Sequence, residues 1–258
     1  RRHPGKPLTH SEVSPCGVHT PPPHMKTQID HLVVAAATLD QGVQWCEATL
    51  GVIPGPGGEH EKFGTHNRLI KIATPQHPLA YLEIIAINPQ AVRPKSRAAR
   101  WFDLDDAQMQ KAIAQEPRLI HFVASTDEIK AARHALLRQD IERGQIAHAS
   151  RASSKGVVHW QITVREDGER LFNGCLPTLI QWGKPDATEP LRLHPRNTLP
   201  RSKVSLHSLS VQHPNPEKLA QAYAAIGLSG AEIAQGPANL LARLHTPKGL
   251  VELHSLGL

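Results

Sequence analysis

Three histidines stand at matching places in three apolar segments. IDHLVVA carries His31, LIHFVAS carries His121 and SLHSLSV carries His207. Three later segments, YLEII, LIQWG and LVELH, place Glu83, Gln181 and Glu252 at matching places of their own. Imidazole nitrogens and carboxylate oxygens are metal ligands. Two His and one carboxylate with open positions suit Fe(II), and a fourth nitrogen or oxygen donor suits Zn, Ni, Mn or Co. The competing reading is structural, because histidines in register are also what repeat ancestry leaves behind.

Other polar residues are candidates for holding a substrate. The run HEKFGTHN offers His60, Thr65 and Asn67 at the mouth of a cavity, with Gly64 allowing close backbone approach. Its alternative is a solvated hairpin. Arg151, His159 and Trp182 play the same part later in the chain. Arg151 can clamp a carboxylate with two parallel hydrogen bonds, or serve as a charge on a strand edge. His148, His194, His213, His245 and His254 read as surface or loop histidines. The motifs GxSxG, GxGxxG and GxxxxGK[ST] are absent.

These residues need strands and helices to bring them together. A strand is expected over 28–35. Thr38 then caps a helix with Leu39, Val43, Cys46 and Leu50 on one face, and Gly51 ends it. Strands follow over 67–73 and 79–88. The order β-α-β-β-β recurs from 118, with a helix bearing Ile129, Ala132, Leu136 and Leu137. It recurs again from 203, where Asn215 caps a helix, Pro216 opens it and Gly227 closes it. The fold expected is α+β, built from repeated βαβββ modules that form curled mixed sheets with flanking helices. The division expected is one domain over 25–183 with modules at 28–88 and 118–183, a linker over 184–202 and a third module over 203–258. A short helix is expected near 105–114, and the proline-rich linker reads as an extended surface strap. Residues 1–24 have no periodicity and are expected to be a disordered or non-native extension.

Composition sets limits. Apolar residues make up 40% and charged residues 20%, as in an ordinary globular protein. The formal charge of +6 is spread without a basic stripe, which argues against a nucleic-acid partner and leaves room for an anionic small molecule. Cys16, Cys46 and Cys175 form no CxxC pair, so neither a disulfide framework nor a zinc knuckle is expected. No stretch reaches 18 consecutive apolar residues, so no membrane span is expected and a cytoplasmic location is. Aromatics are only 4%, which weighs against a site for flat rings.

The segments IDHLVVAAATLDQGVQWCEATLG, GGEHEKFGTHNRLIKIA, YLEIIAIN and GCLPTLIQWG together resemble the glyoxalase-like domain of the vicinal oxygen chelate superfamily, which unites glyoxalases, bleomycin-resistance proteins and extradiol dioxygenases. The resemblance spans 28–183 and reaches the third module by pattern only. It implies a divalent metal, Zn, Ni, Mn, Co or Fe, held by His31, Glu83, His121 and Gln181, with His207 and Glu252 as the alternative pair. Gln181 stands where the family most often has a carboxylate. The resemblance further implies a lyase or isomerase that chelates vicinal oxygens of a small oxygenated metabolite, with Glu83 doubling as the catalytic base. Two alternatives stay open. One is an Fe(II) ring-cleaving dioxygenase using His31, His121 and Glu83. The other is a metal-free binding or resistance protein. A homodimer is compatible with all of them.

Overall fold

The computed structural model describes residues 25–92 and 99–258. The expectation for residues 1–24 therefore lies outside the described residues.

The first module runs β1 (Thr27–Ala35), α1 (Leu39–Leu50), β2 (Glu59–His60), β3 (Thr65–Lys71) and β4 (Tyr81–Ile87). Local chemistry sets the ends of α1. The Thr38 side chain accepts from the Gln41 N–H, and Gly51 closes the helix in the left-handed conformation at φ 74°. A connecting helix, α2 (Ala107–Gln115), is capped by Asp106. The second module repeats the order as β5 (Arg118–Thr126), α3 (Ile129–Leu137), β6 (Gln145–Ser153), β7 (Gly156–Val164) and β8 (Thr178–Trp182).

These strands form one sheet in the order β2-β3-β4-β1-β5-β8-β7-β6. The two opening strands, β1 and β5, lie antiparallel at its centre, and each pairs in parallel with the closing strand of its own module. Alternation gives the sheet two apolar faces. Leu32, Val34, Leu82 and Ile84 face α1, while Phe122 and Leu179 continue that layer beneath α3. Val33, Ala35, Tyr81 and Ile85 face the hollow of the curl, with Ile180, Trp160 and Trp182 opposite. The Trp101–Leu104 stretch and α2 roof that hollow.

The strap over 184–202 departs from expectation. It contains a short helix, α4 (Pro195–Thr198), and His194 at its start is fully buried. His194 was expected at the surface or in a loop, and it lies in a loop but is buried. Its burial is explained by its contact with Asp30, described below.

The third module contains β9 (Ser205–His213), α5 (Pro216–Ala225), β10 (Leu228–Ser229), β11 (Ala231–Gln235), β12 (Asn239–Thr246) and β13 (Gly249–His254). Asn215 caps α5 and Pro216 takes its first turn, as expected. Apart from β10, which pairs with β1, these strands form a separate sheet ordered β11-β9-β12-β13. Its inner face joins the layer of Leu32 and Phe122. The sheet is mixed, with β11 parallel to β9 and the other pairs antiparallel, and its outer face is polar. Among the described residues, no helix is long and apolar enough to cross a membrane.

Candidate functional site

The site begins with an irregularity. Between Ile29 and His31 the pairing of β1 with β5 skips a residue, so Asp30 is a bulge. A bulge breaks the alternation of faces, and Asp30 and His31 both reach the hollow. His31 Nδ1 donates to Asp30 Oδ1 at 2.6 Å. The other oxygen of Asp30 accepts from Trp182 Nε1 at 2.9 Å and from His194 Nε2 at 3.0 Å. His194 Nδ1 in turn accepts from the Arg196 N–H, which assigns the proton to Nε2.

On its far side, His31 Nε2 lies 3.4 Å from Glu83 Oε2. Glu83 comes from β4, where Val33 of β1 is its neighbour in register. The remaining oxygen, Oε1, accepts from Asn67 Nδ2 at 2.7 Å. The direction of the Asn67 amide is fixed from behind, because its Oδ1 accepts from the Gly58 N–H at 2.9 Å. A side chain at Gly57 is impossible there, since its Cβ would fall 1.9 Å from the Asn67 carbonyl oxygen. The second Asn67 proton points to His60 Nε2 at 3.2 Å, and His60 Nδ1 donates to Thr65 Oγ1 at 3.0 Å. The glycine pair and the HEKFGTHN run therefore build one hydrogen-bond lattice that holds Glu83.

Charge follows from these contacts. Burial would raise the Asp30 carboxyl, but its contacts with His194 and His31 outweigh it and hold Asp30 ionised well below the usual carboxylate range. Burial opposes a charge on His31, yet Asp30 and Glu83 together lift its pKa to about 9. Glu83 is lowered, with His31 and Asn67 overcoming the effect of burial. Burial pushes His60 down to about 4, so it stays neutral. The site holds a carboxylate–imidazolium–carboxylate chain with a neutral imidazole beside it.

The chain opens on a cavity of about 30 Å³ lined by His31, His60, Asn67, Tyr81, Glu83 and Arg151, room for a few waters. Its apolar walls include Trp101, Phe102, Trp160 and Trp182. Three of the four tryptophans in the chain thus gather at one place. The low overall aromatic content was a misleading guide, because it says nothing about where the rings collect.

The structure does not assemble the expected ligand set. His121 is fully buried with both nitrogens engaged. Nδ1 donates to the Gly174 carbonyl at 2.9 Å, and Nε2 meets the Thr178 hydroxyl at 3.0 Å and the Thr178 N–H at 3.2 Å. Burial, then Arg143 and Arg170, drive its pKa well below that of a free histidine. Gln181 sits on the opposite face of β8 from Ile180 and Trp182, and its Oε1 accepts from the Ile129 N–H at 3.0 Å. His207 and Glu252 are exposed on the third module's own sheet, where Glu252 pairs with Arg243. His159 lines a separate open cleft of about 510 Å³ beneath the 184–193 strap. Among the described residues, no group of three or more His, Cys, Asp or Glu side chains is arranged to hold a metal ion. His31 and Glu83 alone do not make the four-ligand centre, and His121 cannot supply the second imidazole that the dioxygenase reading requires.

Gln181 has a different task. Glu128, at the N-cap of α3, makes no side-chain capping bond, and the Gln181 amide oxygen serves in its place. Gln181→Leu is expected to lower stability by roughly 1 kcal/mol, the usual cost of a lost cap, and to leave chemistry at Glu83 unchanged. Chemical denaturation and an exchange assay on the same variant check both halves.

Sequence reasoning missed Asp30, Tyr81, Trp101 and His194. Strict alternation places Asp30 on the wrong face, and only the side-by-side acid and histidine in an otherwise apolar strand marked the spot.

A sequence-family model described as a glyoxalase-like domain matches residues 29–227. No match was found among curated proteins. Among solved structures, a hypothetical protein from Staphylococcus aureus is 17% identical, with a TM-score of 0.54, over 88% of this chain and 85% of that one. A Streptomyces coelicolor methylmalonyl-CoA epimerase in complex with 2-nitronate-propionyl-CoA is 18% identical, with a TM-score of 0.36, over 59% of this chain and 95% of that one. The methylmalonyl-CoA epimerase from Mycobacterium tuberculosis is 14% identical, with a TM-score of 0.33, over 59% and 85%. The first of the three shares the fold with this chain, and at such identity a shared fold carries no activity with it.

Proposed function

The chain belongs to the glyoxalase-like domain family of the vicinal oxygen chelate superfamily, and on that premise we propose that it is an isomerase- or lyase-type enzyme that moves a proton beside a carbonyl of a small oxygenated substrate. Glu83 is the base. It takes a proton from the carbon next to the carbonyl, the C–H pair forms a double bond to the carbonyl carbon, and the carbonyl π pair moves to the oxygen. The His31 imidazolium stabilises the oxyanion as it forms. Return of the proton to the other face of the same carbon gives an epimer. Return to the former carbonyl carbon, with an adjacent hydroxyl losing its proton to become the new carbonyl, gives an isomer. Re-forming the carbonyl while a group leaves with its bonding pair from the carbon on the far side gives elimination. Asp30 is a positioning residue that keeps His31 charged and oriented.

One observation carries the reading. An ionised Glu83 and a charged His31, fixed by Asp30 and Asn67, share the wall of one cavity. A base must be ionised to act, and a charge already in place needs no reorganisation during the reaction. No step is assigned to a metal.

The test is solvent exchange. The full chain, treated with chelator, is incubated in deuterium oxide with a panel of small hydroxy-ketones and 2-oxo acids, and proton NMR follows loss of the signal beside the carbonyl. Exchange above background on at least one compound is expected, with Glu83→Gln slower by roughly two orders of magnitude, the usual contribution of a positioned base. No exchange on any compound would overturn the reading. So would an unchanged rate in Glu83→Gln, or exchange that appears only when a divalent cation is restored.

A further inference from the structure

The acid–base cavity has an outer neighbour. A cleft of about 160 Å³ is lined by Gly57, Leu69, Arg151, Ser153, Lys155 and Leu199, among others. Leu69 and Arg151 line both spaces, so the Arg151 guanidinium stands where they meet. Its charge is felt inside, where it adds to the burial that lowers His60 and partly offsets the burial that raises Tyr81. Among the described residues Arg151 makes no salt bridge and a single hydrogen bond, to the Gly57 carbonyl, which is long at 3.4 Å. A strand-edge charge would be solvated and idle. Arg151 is instead half-buried over a polar site, with Lys155 on the outer side.

Two further observations point to a ligand. The chain leaves room for this guanidinium, because a Cβ on Gly58 would lie 2.7 Å from Arg151 Nη1. Trp101, a wall of the inner cavity, is 5% exposed and its indole N–H has no partner among the described residues. Indole nitrogen only donates, so a buried indole N–H calls for an acceptor, and leaving it without one is costly.

We infer that the substrate is an anion whose carboxylate or phosphate docks on Arg151 at the junction of the two spaces, with its reactive carbon directed inward to Glu83. This deepens the proposed function and rests on it for the direction of the substrate. The guanidinium fork matches either anion with parallel hydrogen bonds. Lys155 adds charge at the entrance.

The test uses the full chain, succinate and inorganic phosphate at constant ionic strength, and tryptophan fluorescence as the readout. Saturable binding of at least one anion is expected. Arg151→Met should weaken it by roughly tenfold to a hundredfold, the range for a lost hydrogen bond to a charged group. Gly58→Ala, which asks only a flexible side-chain end to move, should weaken it in the same direction without unfolding the chain. Succinate alone, or phosphate alone, identifies the anion, and either supports the inference. Saturation by neither, or equal affinity in Arg151→Met, overturns it. Anion binding that persists in a protein without exchange activity removes the proposed chemistry and leaves the anion site. Exchange activity with no anion binding removes the anion site alone.

Discussion

Replacing Asp30 with alanine should destabilise the protein by about 3–5 kcal/mol, the cost of breaking a buried ion pair from one side. For a chain of this size, that lowers the melting temperature by roughly 6–20 °C. Asp30 is fully buried and accepts from His31, Trp182 and His194. Alanine removes the acceptor from all three at once and strips His31 of the partner that supports its charge. Asp30→Asn separates hydrogen bonding from charge. It retains one acceptor oxygen, and its cost should fall well below that of alanine. Circular dichroism melts of the two variants measure the difference. A loss under about 1 kcal/mol for Asp30→Ala would mean that water replaces the carboxylate, and the positioning role would go with it.

Stability should also fall as the solution becomes alkaline, beginning near neutrality. His31 is held at about 9 in the folded protein, against 6.5 when free. A raised pKa stabilises the fold fully below 6.5, where both states are protonated. That stabilisation fades as pH rises from 6.5 through 9, and its full size is of order 3 kcal/mol. The buried neutral histidines act in the opposite sense. His60 is pushed down to about 4, and His121 lies well below 6.5. Their contribution is present above 6.5 and is lost as pH falls below it. The lowered pKa values of Asp30 and Glu83 add to the acid limb, below the ordinary carboxylate range. Stability should therefore peak near pH 6.5. Urea titrations between pH 5 and 10 read this curve. His31→Gln should flatten the alkaline side. An alkaline limb that survives this substitution would show that another group carries it.

The architecture was legible in the sequence because it rests on local signals. Thr38, Gly51, Asn215 and Pro216 mark the ends of helices, and the apolar periods name the faces. Contacts between distant segments were not legible. Gln181 was matched to Glu83 because LIQWG resembles YLEII. Strand pairing sets a different equivalence. Val33 faces Glu83 across β1 and β4, while Val123 faces Thr178 across β5 and β8. The partner of Glu83 in the second module is therefore Thr178, three residues before Gln181, and Thr178 is the residue that meets His121. A slip of odd length also changes the face of a strand, which is why Gln181 ends beneath α3. His194 was lost for a related reason. Nothing near it in sequence announces Asp30, which lies 164 residues away.

That equivalence makes the molecule its own control. His31 and His121 occupy matching places in two copies of one module, each beside a bulge in the central strand pair. One Nδ1 donates to a carboxylate and the other to a backbone carbonyl. One Nε2 faces Glu83 and the other faces a hydroxyl. The backbone is symmetric and the charge is antisymmetric. A single NMR titration of the two imidazoles compares proton affinities moved in opposite directions by one scaffold, with no second protein needed for reference.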